Sequence, residues 1–372
     1  MPLPPTPTLP ARGRGAATLN PQNRFEKLSL HVLREHLDDQ LGEDQESGRG
    51  SAHKQVPTTI LHDDSRTIIN RVVDSPDIGF DWTINPYRGC EHGCIYCYAR
   101  PTHEYLGMSC GLDFETKIMA KHDGPEMLRR ELASPKWRPE AIVFSGVTDC
   151  YQPIEAKLQI TRRLLEVCAE FRQPVSIITK NHLVTRDIDV LRELAAHNAV
   201  RVNLSLTTLD KDLARSMEPR ASSPRDRLAA VHALRDAGIP VGVMTAPIIP
   251  GLNDREIPSL LEACKEAGAQ SAGWVMMRLP YQLKALFLEW LQRELPEKAQ
   301  RIEHLIREVR GGNLSDPRFG TRMRGEGATA AIIKKLFDVH ATRMGLKKPL
   351  PPLSAKAFRR PLREGDQMAL FT

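Results

Sequence analysis

Six short apolar segments alternate with stretches of helical periodicity through the middle of the sequence, and this alternation limits the folds open to the chain. The segments cover residues 80–85, 141–146, 174–180, 199–208, 239–249 and 271–279. Apolar runs of this length are typical of strands that are buried on both faces. Repeated strand–helix units predict an α/β fold with a parallel sheet and helices outside it.

A single loop after the first of these strands carries three of the seven cysteines. They are Cys90, Cys94 and Cys97, in the spacing C-x-x-x-C-x-x-C. Three thiolates in one tight loop can bind three irons of an iron–sulfur cube and leave the fourth iron with an open coordination position. Gly89 and Gly93 allow the backbone to curl around such a cluster, because glycine has no Cβ.

Two other interpretations of this loop stay open. A zinc ion could take the thiolates together with His92 or His103, although structural zinc usually binds two ligand pairs on separate knuckles. The three thiols could also be inert core residues. If the loop binds a metal ion or cluster that catalyses no reaction, the protein would be a non-enzymatic, metal-binding adaptor.

The spacing of the cysteines, with an aromatic residue, Tyr96, before the last of them, resembles the signature of the radical S-adenosylmethionine (SAM) enzymes. Six strand–helix units with a cofactor loop after the first strand also resemble the partial barrel of that family. The resemblance implies a partial (β/α)6 barrel of the TIM type, with an active site at the carboxyl ends of the strands as in full barrels.

The same resemblance implies the cofactors. A 4Fe–4S cluster would bind SAM through its open iron, and one-electron reduction would cleave SAM to a 5′-deoxyadenosyl radical. An electron donor of the flavodoxin or ferredoxin type is implied, and Tyr96 would pack beside the adenine. In the place where the family carries a Gly-Gly-Glu stretch for the amino group of SAM, this chain has four candidates: Ser145, Gly146, Thr148 and Asp149. A simple strand-to-helix turn is the alternative.

Further candidate SAM contacts lie on later strands. Polar and apolar residues alternate in 202–208, so Asn203 and Ser205 share a polar face. We expect this face to bind the carboxylate or ribose of SAM, because a buried polar stripe needs a ligand or water; an exposed edge strand is the alternative. Residues 247–254 resemble the adenine-contact motif of the family, with Ile249 in register. Lys180, at the end of the third strand, can reach a carboxylate or lie in solvent.

Residues 85–100, 111–118 and 145–155 together resemble the spore photoproduct lyase-like branch of the family, over roughly residues 74–310. Those lyases repair a thymine dimer in DNA. The resemblance favours a nucleic-acid substrate, with base repair or base modification as the reaction; a protein side chain or a small metabolite is the rival substrate. Cys150, in the loop after the second strand, is a candidate hydrogen-atom donor, and a packed thiol is the alternative.

Two further stretches favour nucleic acid. A glycine-rich loop carries a set of side chains suited to phosphates and bases: Arg318, Phe319, Arg322 and Arg324. A solvated basic loop or an intramolecular lid is the alternative. Near the C-terminus, Gln367, Leu370 and Phe371 resemble the peptide by which bacterial replication and repair proteins dock on the sliding clamp. The alternative is an apolar tail that folds back on its own domain.

Composition bounds the remaining questions. We expect a disordered, Pro-, Gly- and charge-rich tail at 1–56, the partial barrel at 67–295, a helical extension at 296–346 and a disordered basic tail at 347–372. The net charge of +6 permits a polyanionic partner without requiring one. No apolar run reaches membrane-spanning length. Clustered thiols without a disulfide pattern favour a reducing compartment, so we expect a cytoplasmic protein.

Overall fold

The structure, a computed structural model, describes residues 13–16, 19–25, 56–73 and 75–361. The strands in these residues are β1 Thr59–His62, β2 Ile69–Arg71, β3 Trp82–Ile84, β4 Tyr87–Arg88, β5 Lys117–Ala120, β6 Ile142–Phe144, β7 Val175–Thr179, β8 Val200–Ser205, β9 Val241–Ile248 and β10 Ser271–Met276.

The α-helices in the same residues are α1 Leu112–Thr116, α2 Gly124–Ala133, α3 Glu155–Leu158, α4 Ile160–Phe171, α5 Ile188–Ala195, α6 Lys211–Met217, α7 Pro224–Asp236, α8 Ile257–Ala267, α9 Leu283–Glu294, α10 Pro296–Glu308, α11 Thr321–Arg324 and α12 Gly327–Arg343. Each of these is too short or too polar to cross a lipid bilayer.

The main sheet confirms the predicted fold class. Its strand order is β10-β9-β8-β7-β6-β3-β2, and the six strands from β3 to β10 in this order are parallel. These six correspond to the six apolar segments of the sequence. The sheet is open between β10 and β2, as expected for a partial barrel. The short edge strand β2, antiparallel to β3, was not predicted, because its three residues are mostly exposed and carry no apolar run.

The two faces of the sheet differ in exposure, and this difference locates the core. On β8, the outward side chains of Val200, Val202 and Leu204 are at most 1% exposed. The alternate residues Arg201 and Asn203 are partly exposed on the inner face. Helices therefore cover the outer face with apolar contacts, and the inner face stays accessible as the lumen of the barrel.

A second, three-stranded sheet of order β1-β5-β4 lies beside the barrel. β5 pairs in parallel with β1 and antiparallel with β4. Because β4 follows β3 directly and β5 follows α1, this sheet holds both flanks of the cysteine loop.

The predicted disordered tails are partly ordered, and this corrects the expectation for both ends. At the N-terminus, residues 13–16 and 19–25 have a defined position, with Arg14 and Asn23 buried. At the C-terminus, residues 347–361 also pack against the barrel. Composition suggested disorder because prolines and charges dominate both stretches, but a few buried side chains are enough to fix a segment against an existing core.

The C-terminal segment runs along the amino ends of the parallel strands. Leu346 O accepts a hydrogen bond from Ala272 N of β10 (2.8 Å), and Ser354 N donates to Asn198 O (3.0 Å) just before β8. Further on, the ring of Phe358 lies 6.2 Å from that of Phe171. The segment therefore crosses the floor of the barrel from one side to the other.

Leu350 is the main anchor of this segment inside the barrel. Its side chain is 8% exposed. A Cβ atom placed on Gly242 of β9 would lie 3.2 Å from Leu350 Cδ1 and 2.7 Å from Asn203 Oδ1, so only glycine leaves room for both neighbours. Leu350 thus closes the lumen from below.

Replacing Leu350 with alanine is expected to lower the free energy of unfolding by about 2–3 kcal/mol, because a buried apolar side chain is lost and a cavity is left. Chemical denaturation monitored by circular dichroism measures this change. Lys348→Ala, in the exposed part of the same segment, is the matched control and should change stability by less than about 0.5 kcal/mol. Equal effects of the two substitutions would contradict the anchoring role of Leu350.

Candidate active site

The cysteine loop begins directly after β3 and lies at the carboxyl edge of the parallel sheet. Cys90 and Cys94 are each 6% exposed, and Cys97 is partly buried. Burial raises the pKa of all three thiols above the ordinary value, and the nearby thiols add to the effect on Cys90 and Cys94. The three thiols therefore form one water-poor group at the end of the barrel where parallel α/β folds bind ligands.

Two glycines allow the loop to press against α1. Gly89 has φ +80°, and a Cβ there would lie 2.9 Å from Phe114 O. Gly93 has φ +66°, and a Cβ there would lie 2.6 Å from Glu115 Oε2. The close backbone approach at both positions requires glycine, which gives a structural reason for the residues predicted to let the loop curl.

A buried arginine, Arg100, holds the loop backbone from inside. Its guanidinium donates to four backbone carbonyls at 2.8–3.2 Å: those of Gly93, Cys94, Cys110 and Gly111. It also pairs with Glu115, with Nη2 2.5 Å from Oε1, and both side chains are fully buried. Arg100, held by this ion pair, fixes the path of the loop at Gly93 and Cys94.

The N-terminal segment docks on the same carboxylate. Gly15 N and Ala16 N donate to the two oxygens of Glu115 at 2.9 and 2.8 Å. The guanidinium of Arg14 donates to Glu115 O at 2.7 Å. A Cβ on Gly15 would overlap the carbonyl oxygen of Gly93. A segment that is distant in sequence therefore completes the packing around the cysteine loop.

Glu91 fixes the first half of the loop. Its carboxylate accepts from Thr58 Oγ1 (2.6 Å) and pairs with Arg220 (3.1 Å). Its backbone nitrogen donates to Gln152 Oε1 (2.8 Å). The first half of the loop is thus held by side chains from three separate parts of the chain.

The loop after β6, which carries the candidate contacts for the amino group of SAM, lies against the cysteine loop. Thr148 Oγ1 donates to Gly89 O at 2.6 Å. Tyr98 Oη donates to Gly146 O at 2.8 Å. Ser145 has φ +79°, and its Oγ accepts from Cys150 N. The two loops form one wall of the barrel mouth.

Asp149 joins these loops to β7. Its carboxylate accepts from Thr179 Oγ1 (2.7 Å) and Lys180 N (2.8 Å), and it lies 3.3 Å from His92 Nδ1. Burial alone would raise the pKa of Asp149, but His92 and these hydrogen bonds lower it below its ordinary value. Because the carboxylate is already engaged, we interpret Asp149 as a residue that positions the site.

A buried charged network lies under Tyr96. Glu218, 2% exposed, accepts hydrogen bonds from the hydroxyl of Tyr96 and from Thr207 Oγ1 (2.7 Å), and it pairs with the buried Arg227. Lys180 Nζ lies 3.6 Å from Glu218 Oε1 and 5.7 Å from the ring centroid of Tyr96. Sequence reasoning missed Glu218 and Arg227, since no motif marks them and only the fold brings them to this position.

Lys180 is the cation that faces both the thiols and the barrel mouth. Its side chain is 15% exposed. Burial lowers the pKa of Lys180, while the nearby Cys94 acts in the opposite direction. Its ammonium also lies 3.4 Å from Ala246 O at the end of β9. The sequence left open whether this lysine lies in solvent; the structure places it inside the site.

The remaining candidate residues fall in two different places. Ile249 is fully buried in the same apolar cluster as Cys94 and Tyr96. Asn203 and Ser205 lie on the inner face of β8, the first partly exposed and the second 6% exposed. Ile249 is therefore close to the cysteine loop, and Asn203 and Ser205 are in the lumen; their contacts with SAM stay a prediction.

Cys150 is not in the lumen. Its side chain is fully buried in the main apolar core beside Tyr87. Burial raises its pKa well above the ordinary value. A hydrogen-atom donor must contact the substrate radical, so this position does not support that role for Cys150.

The zinc interpretation finds no support in the described residues. No group of three His, Cys, Asp or Glu side chains among them converges on a single ion. One ring nitrogen of His92 faces Asp149, and the other lies 3.4 Å from Asn181 Nδ2. A 4Fe–4S cluster needs no such convergence, because each thiolate binds a different iron.

The glycine-rich loop corrects the expected nucleic-acid contacts. Arg318 pairs with Asp316 and Glu326, and Arg322 pairs with Asp77. Arg324 donates to Trp274 O at 2.6 Å. These cations have partners within the protein, although Arg318 and Arg324, like Phe319 (52% exposed), also face solvent. The clamp-like residues Gln367, Leu370 and Phe371 lie outside the described residues.

Comparison with known proteins places this site in context. Residues 84–264 match the family described as the Radical SAM superfamily. An uncharacterized protein of Mycobacterium tuberculosis is 36% identical over 295 residues, covering 79% of this chain and 84% of that protein. The radical SAM Nα-GlyT isomerase of Pseudomonas phage M6 is 25% identical over 231 residues, covering 61% of this chain and 46% of that protein.

Among solved structures, spore photoproduct lyase complexed with dinucleoside spore photoproduct has a similar fold. The TM-score is 0.56 at 15% identity, and the match covers 83% of this chain and 91% of that one. At this identity the likeness concerns the fold.

Proposed function

This chain belongs to the radical SAM superfamily, and from that premise we propose that it cleaves SAM at a 4Fe–4S cluster and acts on nucleic acid. Members of this superfamily are enzymes, and membership therefore argues against a non-enzymatic adaptor. The observation that supports the proposal most directly is the buried loop with Cys90, Cys94 and Cys97 at the mouth of the partial barrel.

The residues present fit a cluster in three ways. The donors are three thiols of one loop, and thiolates are the ligands that iron–sulfur clusters use. The loop backbone is held by contacts of Arg100 and Glu91 and by close packing at the two glycines, 89 and 93. An apolar cluster that includes Leu279, Leu283 and Leu286 covers the loop and excludes water. When bound, the cluster supplies the electron that cleaves the sulfonium of SAM.

We propose that the protein binds SAM with groups from five strands or the loops that follow them. Tyr96 and Ile249 would flank the adenine, and the loop after β6 would take the amino group through Ser145, Gly146 and Thr148. Asn203 and Ser205 would contact the ribose. Lys180 would bind the carboxylate, because its ammonium lies near the thiol loop and Glu218 is already paired with Arg227.

Replacing Lys180 with methionine is expected to weaken SAM binding about 10- to 100-fold, because a charge-assisted hydrogen bond in a buried site is lost. Equilibrium binding of SAM to the reconstituted protein under anaerobic conditions measures this effect. Lys157→Met, which removes an exposed lysine on α3, is the matched control, and iron content should be the same in both variants. Unchanged SAM affinity in the Lys180 variant would remove this residue from the proposed site.

The nucleic-acid part of the proposal rests on three supports. The solved structure of similar fold is that of spore photoproduct lyase complexed with dinucleoside spore photoproduct. The net charge of this chain is +6. The lumen residues Arg201 and Asn203 are partly exposed and leave the barrel open to a ligand. A base in duplex DNA would have to leave the stack to reach this depth.

The experiment that tests the function measures 5′-deoxyadenosine. The protein is reconstituted anaerobically with iron and sulfide, reduced with dithionite, and given SAM alone, with single-stranded DNA, with RNA or with a mixed peptide. We expect product in every case and more product with a nucleic acid. Stimulation by the peptide alone would favour the rival substrate class, and no product with a bound cluster would contradict the proposed chemistry.

Two partners complete the proposal. A low-potential protein of the flavodoxin or ferredoxin type would deliver the electron. Docking on the sliding clamp through Gln367, Leu370 and Phe371 stays a prediction, since these residues lie outside the described part of the chain. Binding of a peptide spanning residues 363–372 to a clamp, with and without Phe371→Ala, tests it.

A further inference from the structure

One arginine at the barrel mouth differs from its neighbours in having neither a carboxylate nor a carbonyl partner among the described residues. Arg278 lies two residues beyond the end of β10, on the same edge of the sheet as the cysteine loop. Among the described residues, no carboxylate lies within 4 Å of its guanidinium, and its hydrogen bond is the weak one to Met323 Sδ (3.8 Å). Three nearby arginines have such partners. Arg310 and Arg324 donate to backbone carbonyls, and Arg322 pairs with the carboxylate of Asp77.

The surroundings of Arg278 leave it as an unbalanced positive charge. The side chain is partly buried. Burial and the nearby Arg322 lower its pKa, while Tyr98 and the carboxylate of Asp77 act in the opposite direction; Asp77 is itself paired with Arg322, and an arginine stays protonated at neutral pH. A partly desolvated cation without a counter-charge is costly unless an anion joins it. The position therefore suits a ligand that carries a negative charge.

An exposed tyrosine lies next to this cation. Tyr98, the residue after Cys97, is 51% exposed, and the guanidinium carbon of Arg278 lies 5.7 Å from its ring centroid. The hydroxyl of Tyr98 donates to Gly146 O at 2.8 Å, which fixes the ring. A large aromatic side chain held in solvent beside the cofactor loop has no packing role that explains its exposure, and it offers a surface for stacking.

We propose that Arg278 and Tyr98 form a nucleotide clamp at the mouth of the barrel, with Arg278 on a phosphodiester and Tyr98 against an unstacked base. This inference rests on the proposed nucleic-acid substrate and names the place where that substrate binds. Each nucleotide of a polynucleotide carries a base and a phosphate close together. A cation beside an aromatic ring can therefore bind both groups of one nucleotide. The two residues come from the segments after β10 and after β3 and meet on one side of the barrel mouth, with guanidinium carbon and ring centroid 5.7 Å apart.

The test uses two variants that weaken binding in different ways. A fluorescent single-stranded DNA is titrated with reconstituted protein, anaerobically, at salt concentrations from about 50 to about 200 mM. Arg278→Gln should reduce the slope of log K against log salt by about 0.7, the value for one lost phosphate contact on a single strand. Tyr98→Leu should lower affinity about tenfold at every salt concentration without changing the slope, because stacking releases no counterion.

The control is Arg192→Gln, which removes an exposed arginine on α5 outside the barrel. It should leave both affinity and slope as in the unmodified protein. Iron content and thermal midpoint of all variants show that the fold is retained. If the unmodified protein binds DNA and neither the Arg278 nor the Tyr98 variant changes affinity or slope, the proposed nucleotide clamp is wrong while the proposed function stands. If the unmodified protein binds neither DNA nor RNA even at low salt, the nucleic-acid substrate and the clamp both fall.

Discussion

Replacing Cys94 with alanine is expected to abolish SAM cleavage. Cys94 lies at the centre of the loop, and its carbonyl is held by Arg100 at 2.8 Å. Loss of one of three thiolates leaves a cube without a stable attachment. Because radical cleavage of SAM has no route without the reduced cluster, 5′-deoxyadenosine should fall to background, a loss of at least about 10³-fold. Anaerobic assays with product quantified by liquid chromatography measure this directly.

The matched control for this prediction is Cys264→Ala. Cys264 is fully buried on α8 in the main core. It is not part of the cysteine loop and lies more than 160 residues further along the chain. Its loss removes the same thiol group and should leave iron content and product formation near those of the unmodified protein. Retention of a full cluster and of product by the Cys94 variant would contradict the assignment of the loop. Loss of both in the Cys264 variant would indicate a general effect on folding.

The second large effect is expected at Glu115. Its carboxylate is fully buried and serves Arg100, Gly15 N and Ala16 N together. Glu115→Gln keeps the shape but leaves Arg100 as a buried charge without a counter-charge, which costs about 3–5 kcal/mol of unfolding free energy. We also expect faster proteolysis within residues 13–25, since their anchor is weakened. Denaturant unfolding of the anaerobic reconstituted protein, with limited proteolysis, measures both.

An exposed pair provides the control for Glu115. Arg129 and Glu170 lie 2.7 Å apart with side chains 50% and 35% exposed. Glu170→Gln removes the same charge from an arginine, but exposed pairs contribute less than about 1 kcal/mol. A similar loss of stability in the two variants would mean that burial of the Arg100–Glu115 pair has no special energetic role.

The sequence predicted the barrel well because its strands are short, apolar and regularly spaced. The segment 174–180 corresponds to β7 at Val175–Thr179, and 199–208 contains β8 at Val200–Ser205. Such segments carry their own signal, since burial on both faces demands apolar residues along the whole strand. The cysteine loop was equally evident, because the spacing of the ligands is local in the chain.

The rest of the site could not be found in this way, because it depends on contacts between distant residues. Glu218 and Arg227 carry no motif and meet Tyr96 only after folding. Gly15 looks like part of a flexible tail, yet its amide binds Glu115, 100 residues away. Arg322 looked free to bind phosphate, but its partner Asp77 is 245 residues away. Local patterns do not record such pairings.

The path of the C-terminal segment separates two kinds of attachment. Arg360 donates to Ser134 O and Trp137 O, just before β6, so the last described residues leave the protein at the amino ends of the strands. The cysteine loop lies at the opposite ends. A partner that binds the chain beyond residue 361 would hold the enzyme on the side of the amino ends of the strands and leave the barrel mouth accessible. Recruitment and substrate entry would then use different surfaces of the protein. An enzyme that acts on nucleic acid could bind neighbouring nucleotides while it stays tethered to its partner.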